Sequence, residues 1–295
     1  MYRIRKNGNN KRNLITLLVL TVCFPIIVKS QNINDIDKVI NVPQMVAEKP
    51  GAGKRVKQTI KKFGADDVYH SLYLPKNWNP KRKKKYPIIF EYPGNGPYRS
   101  KYEDICTGKV EDCNLGYGIT SGVDFIWVCL PFVSAAPHCN QIKWWGDVET
   151  TIQYCEETIE VICNKFNGDK DKLILSGFSR GAIGCNYIGL HNDKIASYWK
   201  AFICHSHYDG VNDWGYPLAD KANARIRMQR LKGRPQFISH ELDISKTKEW
   251  LEKELPDGNF TFCVIPFRNH TDTWVLRDIP ERKKIRSWIH QIIKP

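Results

Sequence analysis

The sequence contains 295 residues with a formal net charge of +14, and 42% of its residues are hydrophobic while 26% are charged. The length is sufficient for one domain with a large core, and there is no internal repeat or low-complexity tract. The positive charge does not indicate nucleic-acid binding, because no basic-aromatic motif of a known nucleic-acid module is present. After the first 30 residues, no stretch is long and apolar enough to predict a membrane span.

The N-terminus has the features of a targeting segment. An apolar run from Leu14 to Val28, interrupted by Pro25, follows a short basic region, and small or apolar residues precede Gln31. We therefore predict a signal peptide over residues 1–30 and a secreted, extracellular protein, with an uncleaved N-terminal anchor as the alternative. Six basic residues and no acids lie in this segment, so the formal charge after cleavage falls from +14 to +8.

The remaining chain alternates strands with helices. Residues 31–65 are polar and predict an N-terminal extension, followed by a catalytic domain over residues 66–295. Apolar runs predict strands at Val68–Leu74, Tyr86–Tyr92, Asp124–Phe132, Leu173–Leu175, Ala201–His205, Pro235–Ser239 and Asn259–Phe267. Helical spacing of apolar residues predicts helices at Asp147–Asn167, Arg180–Leu190, Lys246–Glu254 and Pro280–Ile293. This order predicts an α/β fold with a mostly parallel central sheet and helices on both faces.

One short segment carries the strongest chemical signal. Lys172–Gly184 reads as a buried strand, a tight Gly177-Phe178-Ser179-Arg180-Gly181 turn and the start of a helix. This G-x-S-x-G pattern exposes a serine hydroxyl at a sharp turn, and the two glycines provide room where neighbouring backbones crowd together. The flanking strand and helix favour Ser179 as a nucleophile over an ordinary turn serine.

With this motif, and with LYLP followed by PIIFEYPGNG in its first half, the chain resembles the α/β-hydrolase superfamily over most of residues 66–295. Within that superfamily it resembles secreted serine esterases of the feruloyl-esterase-like and polyester-depolymerase-like groups. The resemblance implies an α/β-hydrolase fold, no metal and no cofactor. It also implies that the nucleophile, the acid and the histidine follow one another in that order along the chain.

The resemblance directs the search for the other two members of a triad to the ends of later strands. His270 follows the last predicted strand and is the expected base. Asp243 follows the Pro235–Ser239 strand and is the preferred acid, while Glu241 and Asp209 remain alternatives.

An oxyanion hole needs two backbone N–H donors. The N–H of Arg180, directly after the nucleophile, is one expected donor, and Gly94 or Asn95 in the glycine-rich loop after Tyr92 is the other. The Arg180 guanidinium has two interpretations. It could support the oxyanion or an acidic group of the substrate, or it could pair with a neighbouring acid at the helix N-terminus.

Aromatic and histidine side chains are expected around the cleft. Trp144, Trp145 and His207 are the predicted substrate-binding residues, because rings in such loops stack on sugar or phenolic groups. The alternative for the two tryptophans is a role in the core and the cleft wall. His205 and His207 could form a metal pair, but no third ligand is apparent and we predict no metal site.

Secretion would permit disulfides and glycans. Nine cysteines follow the signal segment, an odd number, and Cys106 with Cys113 is the most natural local pair. Asn259 and Asn269 each begin an N-x-T sequon. A glycan on Asn269 would block the predicted catalytic histidine.

These features predict a secreted serine esterase that acts through an acyl-enzyme on small-molecule or polysaccharide-linked esters. The basic run at residues 81–85 adds acidic glycans as a candidate partner, although a solvated loop is the alternative. A prolyl-oligopeptidase-type peptidase is a second candidate, disfavoured by the short segment before the first strand. A catalytically inactive binding protein is the third, disfavoured because candidates for all three triad roles are present.

Overall fold

The computed structural model describes residue 1 and residues 31–294, so the predicted signal peptide lies, except for its first residue, outside the described part of the chain. A nine-stranded sheet forms the centre of the fold. Its strands, which we number along the chain, are Met45–Val46 (β1), Arg55–Gln58 (β2), His70–Tyr73 (β3), Tyr86–Tyr92 (β4), Ile126–Cys129 (β5), Gly168–Phe178 (β6), Trp199–His205 (β7), Gln236–Glu241 (β8) and Phe260–Ile265 (β9).

The spatial order of the strands is β1-β2-β3-β5-β4-β6-β7-β8-β9. Strand β3 runs antiparallel to both of its neighbours, and all other neighbouring pairs are parallel. The predicted mostly parallel sheet is therefore confirmed. Because β4 to β9 share one direction, their carboxyl ends meet at one edge, where ligands of open α/β sheets bind.

Helices cover both faces of this sheet. They are Leu115–Thr120 (α1), Val148–Lys165 (α2), Arg180–Tyr187 (α3), Asp193–Tyr198 (α4), Lys221–Gln229 (α5), Ser245–Glu254 (α6) and Pro280–Ile292 (α7), with 3-10 turns at Ile33–Asp35, Lys61–Phe63, Val110–Asp112 and Thr273–Leu276. Helices α1 and α7 bury their apolar residues in one core cluster, and α2 to α6 bury theirs in another. In β4, Ile88 and Phe90 belong to one cluster and Ile89 to the other. This alternation explains why the strand reads as an unbroken apolar run.

The predicted boundary at residue 65 is wrong. Strands β1 and β2, which lie before it, are part of the same sheet as the rest, and Val56 is fully buried in the core. At the start of this segment, Ile33 is also buried and Gln31 forms a β-bridge with Phe267. Strands of two and four residues have too few apolar positions to give a periodic signal, so the segment reads as polar although it completes the fold.

The predicted Cys106–Cys113 disulfide is absent, and all nine cysteines in residues 31–294 are free. The two thiols lie in different surroundings: Cys106 lines a surface pocket, whereas Cys113 lies in the interior beside Glu91 and Cys129. Within the same residues, no helix combines the length and the apolar composition that a membrane crossing requires.

Two short ribbons extend from the carboxyl edge of the sheet. Tyr98–Arg99 pairs with Ile105–Cys106 after β4, and Phe132–Val133 pairs with Asn140–Gln141 after β5. The first ribbon contributes Tyr98 and Cys106 to the pocket beside the serine turn, and the segment after the second ribbon contributes Trp144.

Candidate active site

The serine turn lies between β6 and α3. Ser179 adopts φ 53° and ψ −115°, a backbone conformation that side-chain-bearing residues rarely take. A Cβ on Gly177 would lie 2.2 Å from the carbonyl of Gly181, and a Cβ on Gly181 would lie 2.1 Å from the carbonyl oxygen of Tyr92. Both contacts are with backbone, which cannot move aside. The glycines are therefore required for the turn that presents the hydroxyl.

His270 reaches Ser179 from the loop that follows β9. Its Nε2 lies 3.0 Å from Ser179 Oγ, and its Nδ1 lies 2.9 Å from Oε1 of Glu241. The rings of Phe178 and Tyr98 pack against the imidazole, with centroid distances of 4.8 and 5.4 Å. Serine, imidazole and carboxylate thus form one continuous chain of contacts at the carboxyl edge of the sheet.

Glu241 is the last residue of β8, and its side chain is 9% exposed. Burial alone would raise the pKa of this carboxyl. The hydrogen bond from His270 and the nearby imidazoles of His205 and His270 outweigh burial and hold the pKa well below its usual range. The hydroxyl of Ser206 also donates to the carboxylate. Glu241 is therefore ionised at neutral pH.

The preferred acid of the sequence analysis, Asp243, is in the wrong position. It lies beyond a tight turn in which Leu242 has φ 57°, and its carboxylate accepts hydrogen bonds from the N–H and hydroxyl of Ser245 at the start of α6. Its side chain therefore forms a local turn with Ser245 directly before α6 instead of contacting His270. The strand runs two residues further than predicted, which brings Glu241, one of the alternatives, to the strand end.

Asp209, the other alternative, is also committed elsewhere. Its carboxylate forms a two-pronged ion pair with Arg227, at 2.7 and 3.0 Å, and both side chains are almost completely buried. Burial raises the pKa of Asp209, while the guanidinium acts in the opposite direction. The pair joins the loop after β7 to α5, so its role is structural.

The Arg180 guanidinium points away from the serine hydroxyl and into the loops behind the pocket. It donates to the carbonyl oxygens of Trp144, Gln141 and Gly108 at 2.6, 3.2 and 3.3 Å, and it lies over the ring of Phe132. Burial lowers the pKa of Arg180 to about 9, which leaves the group charged at neutral pH. The predicted pairing with an acid is wrong, because the guanidinium instead ties the segment of Gln141 and Trp144 and the loop of Gly108 to the serine turn. Because Arg180 also lines the pocket, its contact with the substrate stays a prediction.

The loop after β4 is expected to provide the second N–H donor of the predicted oxyanion hole. The amide N–H of Gly96 is engaged with the carbonyl of Ile142 at 2.9 Å. Asn95 lines the pocket, and its side-chain oxygen accepts from the N–H of Trp144. A Cβ on Gly94 would lie 2.8 Å from the sulfur of Cys106. The loop is therefore fixed beside the serine turn, and the assignment of Gly94 or Asn95 as an N–H donor stays a prediction.

A pocket of about 220 Å³ opens beside Ser179. Besides the serine and His270, it is lined by Asn95, Pro97, Tyr98, Cys106, Trp144, Phe178, Arg180, Ile183, His207 and Trp214. Two of the three predicted substrate-binding residues, Trp144 and His207, therefore face the pocket. Trp145 does not, because it is buried behind Trp144, stacked on Tyr187 at 4.7 Å.

The two histidines after β7 differ in their contacts. His205 is fully buried, with Nδ1 2.9 Å from the hydroxyl of Ser239 and Nε2 3.0 Å from the carbonyl of Thr271. His207 faces the pocket between the rings of His270 and Trp214. Burial lowers the pKa of each to about 4, so both imidazoles are neutral at physiological pH. Because both ring nitrogens of His205 have protein partners, the two residues do not form a metal pair.

Within residues 31–294, Glu91, Cys113 and Cys129 bring three metal-type ligand atoms within 4.8 Å of one another. Glu91, however, accepts hydrogen bonds from four donors, namely the backbone N–H groups of Asn114, Leu115 and Gly116 and the indole N–H of Trp127. Its oxygens are thus occupied in holding the start of α1, and the arrangement does not fit a metal ion.

Three supporting residues of the site could not be recognised from sequence patterns: Ser206, Asp104 and Asn269. The carboxylate of Asp104 accepts from the backbone N–H of His270 and from the Asn269 side chain, at 3.2 and 2.8 Å. Asn269 also accepts from the N–H of Ile33 at 2.7 Å and is 2% exposed. A glycan cannot attach to this buried amide in the folded protein. Asn259 is exposed, and its glycosylation stays a prediction.

Comparison with solved structures places the architecture in a known class. The chain is similar to the feruloyl esterase module from Clostridium thermocellum, with a TM-score of 0.52 and 16% identity over 86% of this chain and 95% of that one. It is also similar to an acetyl ester-xyloside bifunctional hydrolase from Caldicellulosiruptor lactoaceticus, with a TM-score of 0.56 and 14% identity over 82% and 97% of the two chains.

A thermostable esterase gives a TM-score of 0.50 and 13% identity over 80% of this chain, which covers only 62% of that longer chain. No protein-family model matches the sequence, and no curated protein matches it significantly. The order of the strands, the serine turn after β6 and these similarities together establish an α/β-hydrolase fold. The identities are too low to transfer an activity from any of these proteins.

Proposed function

We propose that this chain is a serine hydrolase that cleaves carboxylic esters through an acyl-enzyme on Ser179. The observation that carries the proposal is the chain of contacts from Ser179 Oγ to His270 Nε2, at 3.0 Å, and from His270 Nδ1 to Glu241, at 2.9 Å. Its geometry matches that of a nucleophile, a base and an orienting acid. The strained backbone of the serine supports a functional role, since such strain is retained where it serves a site.

In the acylation step, Ser179 Oγ bonds to the carbonyl carbon of the ester while its proton passes to Nε2 of His270. Negative charge develops on the carbonyl oxygen, and the N–H of Arg180 with that of Gly94 or Asn95 would stabilise it. His270 then returns the proton to the oxygen of the leaving alcohol as the C–O bond breaks. The ionised Glu241 stabilises the imidazolium that forms between these two proton transfers.

Deacylation repeats the sequence with water. His270 takes a proton from the water as its oxygen attacks the acyl carbon, and then protonates Ser179 Oγ as the acyl-enzyme bond breaks. The products are a carboxylic acid, an alcohol and the regenerated serine.

The pocket supports a planar, apolar acyl group. Trp144, Trp214 and Phe178 line it with aromatic surface, and Ile183 adds an aliphatic contact. Its volume of about 220 Å³ lies below the range of roughly 300–1,000 Å³ for sites of drug-sized ligands, which favours a small acyl group. We therefore propose aromatic acyl esters, including polysaccharide-linked ones, as preferred substrates over long fatty-acid esters.

The setting of the reaction is a further part of the proposal. The signal peptide predicted at residues 1–30 supports secretion of the protein. Outside the cell, the enzyme would encounter polysaccharide-linked esters. A basic concavity lined by Arg82, Lys84, Lys85 and Lys172 lies where the chain enters β4 and suits contact with acidic glycans. Cation-exchange and heparin retention of the purified protein would test this contact.

The test of the activity is covalent labelling of the folded, purified protein by a fluorophosphonate probe. We expect wild type to be labelled and Ser179→Ala to be unlabelled. Ser176→Ala is the matched control. Ser176 lies in β6, the strand that leads into the serine turn, where it is fully buried and its hydroxyl donates to the carbonyl of Phe90. The control should label like wild type. Folded wild type that resists the probe would overturn the proposal.

Steady-state hydrolysis rates then show which class of bond the protein cleaves. We expect hydrolysis of aryl and feruloyl esters by wild type, with kcat lowered by at least ~10³-fold in Ser179→Ala. Matched anilides test peptidase activity. Cleavage of anilides at a rate comparable to that of the esters would contradict the esterase assignment while retaining the serine mechanism.

A further inference from the structure

Ser206 lies behind the proposed catalytic pair, directly after β7. Its Oγ is 2.7 Å from each carboxylate oxygen of Glu241 and 2.8 Å from Nδ1 of His270, the ring nitrogen opposite the one that contacts Ser179. The residue is fully buried, so these two side chains are the neighbours that can satisfy its hydroxyl. It therefore contacts both partners of the imidazole–carboxylate pair.

The number of protons available determines which group donates in each of these hydrogen bonds. The hydroxyl of Ser206 has one proton and can donate to only one neighbour at a time. The ionised carboxylate of Glu241 is a stronger acceptor than a neutral imidazole nitrogen, so the proton points to Glu241. The lone pairs of the hydroxyl oxygen then face Nδ1 of His270, and Nδ1 must carry a proton. Nε2 is left free to accept a proton from Ser179.

The backbone of Ser206 supports a specific role for this side chain. Its φ is 86°, in the left-handed region where glycine is favoured and other residues are strained. Its amide N–H donates to the carbonyl of Ser239 on the neighbouring strand, at 2.8 Å, which holds the residue in this conformation. Glycine would adopt the same turn without strain but would lack the hydroxyl.

We propose that Ser206 is a positioning residue whose hydroxyl holds His270 in the tautomer protonated at Nδ1 and fixes the orientation of the Glu241 carboxylate. The inference rests on the serine-esterase function proposed above. Without the hydroxyl, the carboxylate loses a buried donor, and Nδ1 keeps only the single contact with Oε1. The imidazole is then held at Nδ1 by one contact instead of two, its orientation and tautomer are less strictly fixed, and a smaller fraction of the enzyme can accept the Ser179 proton.

The kinetic test compares Ser206→Ala with Ser206→Gly on one aryl ester. Alanine keeps the backbone strain and removes the hydroxyl, whereas glycine removes both. We expect each variant to lower kcat on the order of 10- to 100-fold with little change in KM, less than the roughly 10²- to 10⁴-fold that the acid–base group itself contributes, because His270 is retained. Wild-type kcat in the glycine variant would mean that only the backbone matters and would overturn the proposal.

The matched control is Thr158→Val. Thr158 is equally buried, and its hydroxyl donates to the carbonyl of Tyr154 within α2, on a helix that carries none of the proposed catalytic groups. We expect wild-type kcat in this variant. A loss as large as that of Ser206→Ala would indicate a general effect of removing a buried hydroxyl and would count against the positioning role.

Two further measurements separate positioning from folding. In a double-mutant cycle, Ser206→Ala added to Glu241→Gln should cost no additional activity, because both act through His270, whereas independent, multiplicative losses would overturn the inference. In ¹H–¹⁵N spectra of protein labelled at histidine, the Nδ1 proton of His270, assigned with a His270→Gln variant, should shift or broaden in Ser206→Ala. An unchanged signal would also overturn it.

The spectroscopic result is independent of the esterase activity. If wild type neither hydrolyses esters nor reacts with a fluorophosphonate, the proposed function fails, and the Nδ1 signal still reports whether Ser206 controls the imidazole. If wild type is active and Ser206→Ala is indistinguishable from it in rate and spectrum, only the inference about Ser206 fails.

Discussion

The guanidinium of Arg180 donates to the backbone carbonyl oxygen of Trp144, 2.6 Å away. Arg180 follows the proposed nucleophile in sequence, and Trp144 forms a wall of its pocket. This contact therefore connects the turn that presents the serine with the loop that encloses the substrate. The position of the pocket wall depends on a buried cation that does not itself face the hydroxyl of the nucleophile.

We expect Arg180→Met to lower the free energy of unfolding by about 2–4 kcal/mol, because three carbonyl groups lose a buried, charged donor. The KM for aryl esters should rise roughly tenfold as the loop of Trp144 loosens. Urea unfolding and ester kinetics measure the two effects. Arg225→Met is the control, since this exposed arginine pairs with Glu254 at the surface, where water screens the ion pair, and the variant should unfold close to wild type. Equal effects of the two substitutions would contradict the role assigned to Arg180.

The identity of the acid is tested by a matched pair of substitutions. Glu241→Gln should lower kcat by roughly 10³- to 10⁴-fold, because an amide cannot stabilise the imidazolium as a carboxylate does. Asp243→Asn should stay within about twofold of wild type, since its carboxylate contacts Ser245 and not His270. Single-turnover measurements of acylation give the comparison directly. The reverse order of the two effects would restore Asp243 as the acid.

The contrast between Ser179 and Glu241 explains how far the sequence could predict this site. The serine turn is specified locally, because two glycines and a strand-to-helix transition lie within one short segment. The acid depends on where a strand ends, and strand ends are uncertain by about two residues in any sequence-based interpretation. Two residues separate Glu241 from Asp243. Asp243 did carry a signal of its observed contact, because aspartate side chains commonly accept from the backbone N–H two residues further on.

Contacts between distant parts of the chain left no sequence signal. Ser206 meets Glu241 and His270 only because their strands β7, β8 and β9 end at the same edge of the sheet. The polar composition of residues 31–65 likewise predicts an extension, although Ile33 is buried and its N–H donates to Asn269 near the other end of the chain. The fold class follows from local patterns, but these partnerships require the assembled sheet.

The amide of Asn269 holds the loop that carries His270 in place, and its loss should reduce stability and, if the proposed function is correct, the rate. We expect Asn269→Ala to lower the free energy of unfolding by about 1–3 kcal/mol, since Asp104 and the N–H of Ile33 lose buried partners. Asn269→Asp should be more damaging, because it brings a second carboxylate against Asp104. Thermal unfolding and kcat are the measurements. The exposed sequon residue is the control, and Asn259→Ala should behave like wild type.

A buried histidine far from the pocket predicts how stability depends on pH. His70 in β3 is fully buried, its Nδ1 contacts the hydroxyl of Tyr154 at 2.9 Å, and burial lowers its pKa from 6.5 to about 3. The unfolded chain takes up a proton at this residue as the pH falls below 6.5, while the folded protein does not. The contribution of His70 is therefore complete above pH 6.5 and is lost progressively between pH 6.5 and 3.

His70→Gln removes this titration while keeping a polar partner for Tyr154. Between pH 6 and pH 4, the free energy of unfolding should fall less steeply with decreasing pH in the variant than in wild type. The difference between the two slopes should be about 1.4 kcal/mol per pH unit. Urea unfolding at pH 7, 6, 5 and 4 measures the difference between the two slopes, in which the contributions of other titrating groups cancel. His290→Gln is the control, because His290 is exposed on α7 and is not part of the buried contact between His70 and Tyr154. Parallel curves for wild type and His70→Gln would mean that His70 gains its proton in the folded protein near the ordinary pKa.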